Sequence, residues 1–196
     1  MSELAILPVS GAAILPWLDH LARLRIQVFR EWPYLYEGTE AYERDYLRTY
    51  ADSPHSLMVL ALDGDRVIGA SSGLPMEDAD AAFQKPFTDQ DVPVSSVFYF
   101  GESVLDARYR GRGLGHRFFD EREAFARRLG CPVTTFCAVQ RAADHPARPT
   151  DYRPLDTFWM ARGYQCQPHM LTRYRWRDIG EATESDKPMM FWTRGL

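Results

Sequence analysis

The stretch Glu102-Ser103-Val104-Leu105-Asp106-Ala107-Arg108-Tyr109-Arg110-Gly111-Arg112-Gly113-Leu114-Gly115-His116 decides how the rest of the chain is read. It begins with the composition of a strand, turns through glycines at alternate positions, and runs straight into a helical pattern that lasts to Leu129. A helix start carries partial positive charge and N–H groups without intrahelical acceptors, so Arg110, Arg112, His116 and Arg117 stand at the unfavourable end of the dipole. Glycines at 111, 113 and 115 let the backbone approach a ligand closely and turn successive N–H groups towards it. Basic side chains and open N–H groups together call for an anion, and a phosphate or pyrophosphate is what such loops cradle.

Working outward, the helix keeps its period through Leu114, Phe118, Phe125 and Leu129, carries Arg127 and Arg128 in its last turn, and meets a capping glycine at Gly130. Residues 132–139 alternate and are rich in β-branched side chains, which predicts a strand beside the one ending at Leu105. A proline-punctuated loop follows at 140–154, then a short helix at 155–162 stopped by Gly163, and closing strands at 169–176 and 188–193. Upstream, residues 4–9 read as a strand. Trp17, Leu21, Leu24 and Val28 form the apolar stripe of a helix that ends near Trp32-Pro33. An aromatic turn at 33–38 leads to a second helix at 41–50. Strands at 56–62 and 67–74 flank Asp63-Gly64-Asp65-Arg66 and predict a β-hairpin. Residues 96–105 read as one strand. Between them 75–93 lies outside the sheet with a short helix near 81–84, an excursion long enough to carry function.

The 196 residues suit one domain, 1–196, with an ordinary 45% of hydrophobic side chains. A net charge of −4 argues against a general nucleic-acid surface or an anionic-membrane surface. Three cysteines, Cys131, Cys137 and Cys166, are odd in number and lack metal-type spacing, so reduced thiols in a cytoplasmic protein and no metal are expected. No targeting signal or membrane span is expected. A dinucleotide loop would show G-x-G-x-x-G, and a nucleoside-triphosphate loop Gly-Lys-Ser/Thr; the G-x-G-x-G found here is neither.

Arg110-Gly111-Arg112-Gly113-Leu114-Gly115 resembles the acyl-CoA-binding motif of the GNAT superfamily of N-acyltransferases, in which Arg or Gln is followed by two residues, Gly, one residue, and Gly or Ala. Phe158-Trp159-Met160-Ala161-Arg162-Gly163-Tyr164 is similar to the short helix and Gly-aromatic pair found later in that family, and the element order agrees over nearly the whole chain. The resemblance implies an α/β fold of mixed type: a central twisted β-sheet, splayed near its middle and flanked by helices. It implies acetyl-CoA as co-substrate, with the backbone near Val104 and Leu105 pairing with pantetheine. Arg110, Gly111, Arg112, Gly113, Leu114, Gly115 and His116 then surround the pyrophosphate, the main-chain N–H groups from Arg112 to His116 holding it. The partners implied are acyl-CoA and an amine acceptor, in a monomer or homodimer.

Acyl transfer from a thioester to an amine needs a neutral amine, a polarised carbonyl and a proton for the leaving thiolate. Glu102 is the candidate general base, through water, on a strand where relatives often carry a carboxylate; the competing reading is a strand-edge carboxylate paired with an arginine. The family often supplies the proton from a tyrosine at the position held here by Trp159, and an indole is no acid at neutral pH. Tyr99 and Tyr152 are the candidates that remain. Cys137 offers a thiol in principle, although direct attack in a ternary complex is the family's usual route. Tyr34, Tyr36 and Glu37, with Glu43 and Asp45 beyond them, form a candidate acceptor site attractive to a cationic amine, or else simply decorate the surface. The reading from another class is a non-catalytic acyl-CoA-binding module, which Trp159 keeps open.

Overall fold

In a computed structural model, which describes residues 4–196, the hydrophobic pattern resolves into one mixed sheet with helices on both faces. The elements are β1 (Leu4–Val9), α1 (Leu18–Phe29), α2 (Glu40–Asp52), β2 (Leu57–Asp63), β3 (Arg66–Pro75), α3 (Ala81–Thr88), β4 (Val97–Tyr99), β5 (Ser103–Leu105), α4 (Leu114–Arg128), β6 (Val133–Val139), α5 (Asp156–Ala161), β7 (Gln165–Trp176) and β8 (Ser185–Gly195). The sheet runs β1-β2-β3-β4-β6-β8-β7, and β5 pairs only with β3.

Alternation along the strands distributes the side chains to two cores. Val97, Tyr99, Val104, Cys137 and Val139 face α1, α2 and α3. Phe98, Phe100 and Phe136 face α4, meeting Leu114, Phe118 and Phe119 from that helix. A period of two thus gives each face its own hydrophobic layer, and the helices cover both.

Two expectations need correction. The single strand expected at 96–105 is broken: β4 pairs in parallel with β6 from Val97–Val133 to Tyr99–Thr135, after which the main chain changes partner. Phe100 N still donates to Thr135 O (2.8 Å), but Gly101 N donates to Ser72 O (3.2 Å) and Ser72 N to Glu102 O (3.0 Å). From there β5 follows β3 through the Ala70–Val104 register, and its edge towards β6 is left without a strand. The last strands are also longer than their alternation suggested. A register irregularity between Gln167 and Leu171 interrupts the period in β7, which hides the strand's first residues from a pattern of two.

Candidate active site

The strands part at residues 100–102, and three groups of residues converge on the fork. The first is the turn from β5 into α4. Asp106 opens it: its carboxylate accepts from Arg108 N (3.1 Å) and from the Arg108 guanidinium (3.0 and 2.6 Å), and Arg66 approaches it at 3.2 Å. The hydrogen bond from the Arg108 side chain, with burial opposing, holds the Asp106 carboxyl down to about 2. Gly113 then precedes α4 with φ +78°, in the left-handed region that side chains rarely adopt. A Cβ built at Gly111 or Gly113 would meet no atom within 4 Å, so the turn is open on its outer side. His116 N donates to Gly113 O (3.0 Å), which leaves the N–H groups of Leu114 and Gly115 as the first-turn donors without an intrahelical acceptor. Arg110 reaches back to Leu105 O (3.3 Å) and to Glu31 (2.7 Å), and the Arg112 guanidinium lies over the Tyr109 ring. The His116 ring faces Phe158 of α5 and the Arg162 guanidinium (3.3 Å). An anion cradle of main-chain donors beneath an unpaired strand edge therefore fits the phosphates and pantetheine of an acyl-CoA.

The second group lies on the opposite face. The Glu102 side chain is 3% exposed, and its Oε2 takes Arg25 Nη1 at 2.6 Å, an ion pair without the alignment of a hydrogen bond, together with the Tyr46 hydroxyl at 3.1 Å. Arg25 also pairs with Glu43, which is fully buried. Burial alone would lower the Arg25 guanidinium, but Glu102, then Tyr46 and Glu43, override it and hold it well above its usual range. The cluster is thus one cation between two carboxylates. Oε1 of Glu102 and Oε1 of Glu43 are both buried with no hydrogen-bond partner among the described residues. Burial, then Glu102, pushes the Tyr46 phenol well above its ordinary value. Gly101 has a side-chain-free position because a Cβ there would lie 1.7 Å from the Tyr50 hydroxyl and 2.8 Å from Ser72 Oγ.

The third group is between the faces. Arg122 of α4 is fully buried, and its Nη1 donates to the carbonyls of Ser72 (3.3 Å) and Glu102 (3.2 Å), while Nη2 donates to Ser103 Oγ (2.9 Å). Its guanidinium plane covers Phe100 (4.1 Å), and burial lowers it to about 10. Sequence reasoning missed both Arg25 and Arg122, although each leaves a signal. Arg25 lies four residues after Leu21 and Arg122 four after Phe118, so both place a charge on a stripe that is otherwise apolar.

The remaining candidates are spread more widely. Tyr99 points at Cys137, with 3.4 Å between hydroxyl and Sγ, and burial raises the phenol well above its ordinary value. Burial likewise pushes the Cys137 thiol up to about 12, so it stays protonated at neutral pH and is no nucleophile. Tyr34 packs between Phe29 (4.6 Å) and Trp176 (5.9 Å) as part of the core. Tyr36 sits beside Glu43, which helps burial raise its phenol. Glu37 faces outward, 3.8 Å from Arg30 and 3.7 Å from Arg177, so it does not join the cluster. Trp159 is wedged between Phe136 (4.9 Å) and Trp192 (5.1 Å), and Tyr152 lies against Trp32 (6.0 Å). Arg141 fastens the loops above: it donates to Pro33 O (2.8 Å), Tyr34 O (2.6 Å) and both Asp178 carboxylate oxygens (2.6 and 2.9 Å).

A parallel strand pair that parts above a glycine-rich helix start, with strand β5 turned away to β3, defines an acyltransferase fold. The model of the acetyltransferase (GNAT) family matches residues 23–150, about two-thirds of the chain, and the chain belongs to that family. No curated protein sequence matches it significantly. Solved structures share the fold at low identity. The ribosomal-protein-alanine N-acetyltransferase of Brucella melitensis has 12% identity and a TM-score of 0.62, over 97% of this chain and 99% of its own. The Drosophila melanogaster polyamine N-acetyltransferase, which forms N-acetylagmatine, has 13% identity and a TM-score of 0.61, over 99% and 100%. A putative acetyltransferase from Acinetobacter baylyi has 12% identity and a TM-score of 0.64, over 100% and 94%. Among the described residues, no helix is long and apolar enough to cross a membrane.

Proposed function

We propose that this acetyltransferase moves an acetyl group from acetyl-CoA to a primary amine of a small molecule or peptide, by direct attack within a ternary complex. The observation that carries this reading is Glu102 Oε1, a buried carboxylate oxygen with an unused lone pair at the point where β4 and β6 part. The N–H groups of the turn before α4 hold the pyrophosphate, with Arg110 and Arg112 beside them, and the open edge of β5 near Val104 and Leu105 pairs with pantetheine.

Arg25 lies against Glu102 Oε2, and the carboxylate draws the cationic amine towards its free oxygen. Through a water at Oε1 it takes the ammonium proton, so that the neutral nitrogen can attack the thioester carbon. The C–N bond forms and the C–S bond breaks. The amine's second proton goes to solvent, Glu102 returns its own proton to solvent through the same water, and the thiolate takes its proton from solvent, since Trp159 has none to give. Tyr99, with its phenol raised by burial, is a weak donor and lines the acceptor side instead. The cationic-amine preference agrees with a cluster of two carboxylates around one arginine.

The test is acetyl-CoA turnover with a panel of amines, read as thiol release and as the mass of the acetylated amine. Glu102→Gln is expected to lower kcat by about 10²-fold with acetyl-CoA affinity nearly unchanged. Equal turnover in the variant overturns the base role; tight acetyl-CoA binding without transfer to any amine overturns the function.

A further inference from the structure

The segment between β3 and β4 has no part in the acyl-CoA side, yet it is firmly built. Asp80 caps α3 by accepting from Ala82 N (2.8 Å), Thr172 of β7 donates its hydroxyl to Ala82 O (2.6 Å), and Ser53 donates to Asp78 (2.6 Å). These ties accompany Phe83 stacked against Tyr99 at 5.0 Å and against Tyr174 at 5.2 Å, each pair inclined by 24°. Opposite stands α2, whose Tyr42 hydroxyl meets the Tyr174 hydroxyl at 3.2 Å. The elements enclose a cavity of about 250 Å³ walled by Tyr42, Tyr46, Tyr50, Phe83, Tyr99 and Tyr174.

Two carboxylates complete the lining, Asp45 from α2 and Asp80 from the start of α3, and no lysine or arginine lines it. Neither carboxylate has an ion-pair partner among the described residues; Asp80 spends one oxygen on the Ala82 N–H. Asp80 lines the cavity beside Tyr174, whose phenol burial, then Tyr42, then Asp80 raise. Aromatic rings beside two exposed carboxylates without ion-pair partners form a seat for an organic cation, and the size suits an alkylammonium. The wall also touches the fork: Tyr46, one of the lining residues, donates its hydroxyl to Glu102 Oε2.

We infer that this cavity seats the second, non-reacting ammonium of an aliphatic diamine acceptor, and that the β3–β4 segment therefore sets acceptor choice. The inference rests on the reading of Glu102 as the point where the reacting amine is held. A diamine then spans from Glu102 along Tyr46 to Asp45 and Asp80, whereas a monoamine of equal length leaves the aromatic seat unused.

The experiment uses the full chain with acetyl-CoA and compares α,ω-diamines of three to six carbons with n-alkylamines of matching length. The best diamine is expected to exceed its monoamine counterpart in kcat/KM by about tenfold or more. The Asp45→Asn/Asp80→Asn double variant is expected to bring that ratio close to one; Asn still caps α3, so the fold is kept. Equal kcat/KM for the two amine series, or a ratio that survives in the double variant, overturns the inference. Calorimetric titration of the diamine into the protein without acetyl-CoA separates this from the catalytic reading. Diamine binding that the double variant loses, with no acetyl transfer to any amine, upholds the seat while rejecting the function. Transfer to amines without measurable diamine binding or preference does the reverse.

Discussion

On the α4 face of the fork the groups left open belong to the main chain, whereas on the α1 and α2 face they are side chains drawn from distant positions. The first needs only the conformation of a short contiguous turn, opened by Asp106 and set by Gly113. The second needs Arg25, Glu43, Tyr46 and Glu102 to meet in a buried cluster brought together by packing from two helices. One side is thus robust to side-chain replacement and sensitive to backbone geometry; the other is the reverse.

That contrast can be broken at Arg122, which serves both sides. Arg122→Ala strips hydrogen bonds from the carbonyls of Ser72 and Glu102 and leaves a cavity under Phe100, so a loss of about 3 kcal/mol in urea unfolding is expected. Both acetyl-CoA affinity and kcat then fall, whereas a purely one-sided residue changes only one of them. The backbone side is tested at Gly113. Gly113→Ala forces a Cβ into a left-handed conformation, for about 1 kcal/mol of strain, and is expected to weaken acetyl-CoA binding about tenfold with amine KM unchanged. Equilibrium titration alongside steady-state kinetics distinguishes the two.

Asp106 sharpens the picture through pH. Its carboxyl is held below the ordinary 3.8, so it contributes stability that is fully present above about pH 4 and is lost as the pH falls through about 2. Asp106→Asn is expected to cost on the order of 1 kcal/mol at neutral pH, because its arginine partners are more than half exposed and are screened by solvent. The deficit shrinks towards pH 2; a pH-independent difference in unfolding midpoint would argue that the capping geometry, not the charge, holds the turn. The smallest effect is expected at Trp159. Trp159→Phe keeps an aromatic ring against Phe136 and removes an N–H that cannot supply a proton, so kcat is expected to stay within roughly twofold.

The same contrast explains what could be read from the sequence. The glycine turn was legible because its backbone requirements are written in residue type at adjacent positions, and the helix that follows announces itself by its period. The hairpin was legible through Asp63-Gly64, and the observed pairing of β2 with β3 follows it. Glu102 was legible as a carboxylate at the right end of its strand, and pairing with an arginine was one reading of it, as the ion pair with Arg25 shows, but which arginine was not legible, because nothing local in a chain marks which distant helix a buried charge will meet. Tyr34 and Glu37 carried the right chemistry for an acceptor site, yet one joined the core and the other turned outward; composition of a loop does not fix the direction of its side chains. The break at 100–102 was invisible because the chain keeps strand-like residues while changing its partner from β6 to β3.

Arg141 gives the loops above the fork a further property. One guanidinium fastens the loop after α1, through Pro33 and Tyr34, to the connection between β7 and β8, through Asp178, and it is itself anchored just beyond β6. Three segments that could each fray separately are therefore hinged on a single rivet. Loss of that one side chain would therefore release all three segments at once rather than one loop alone.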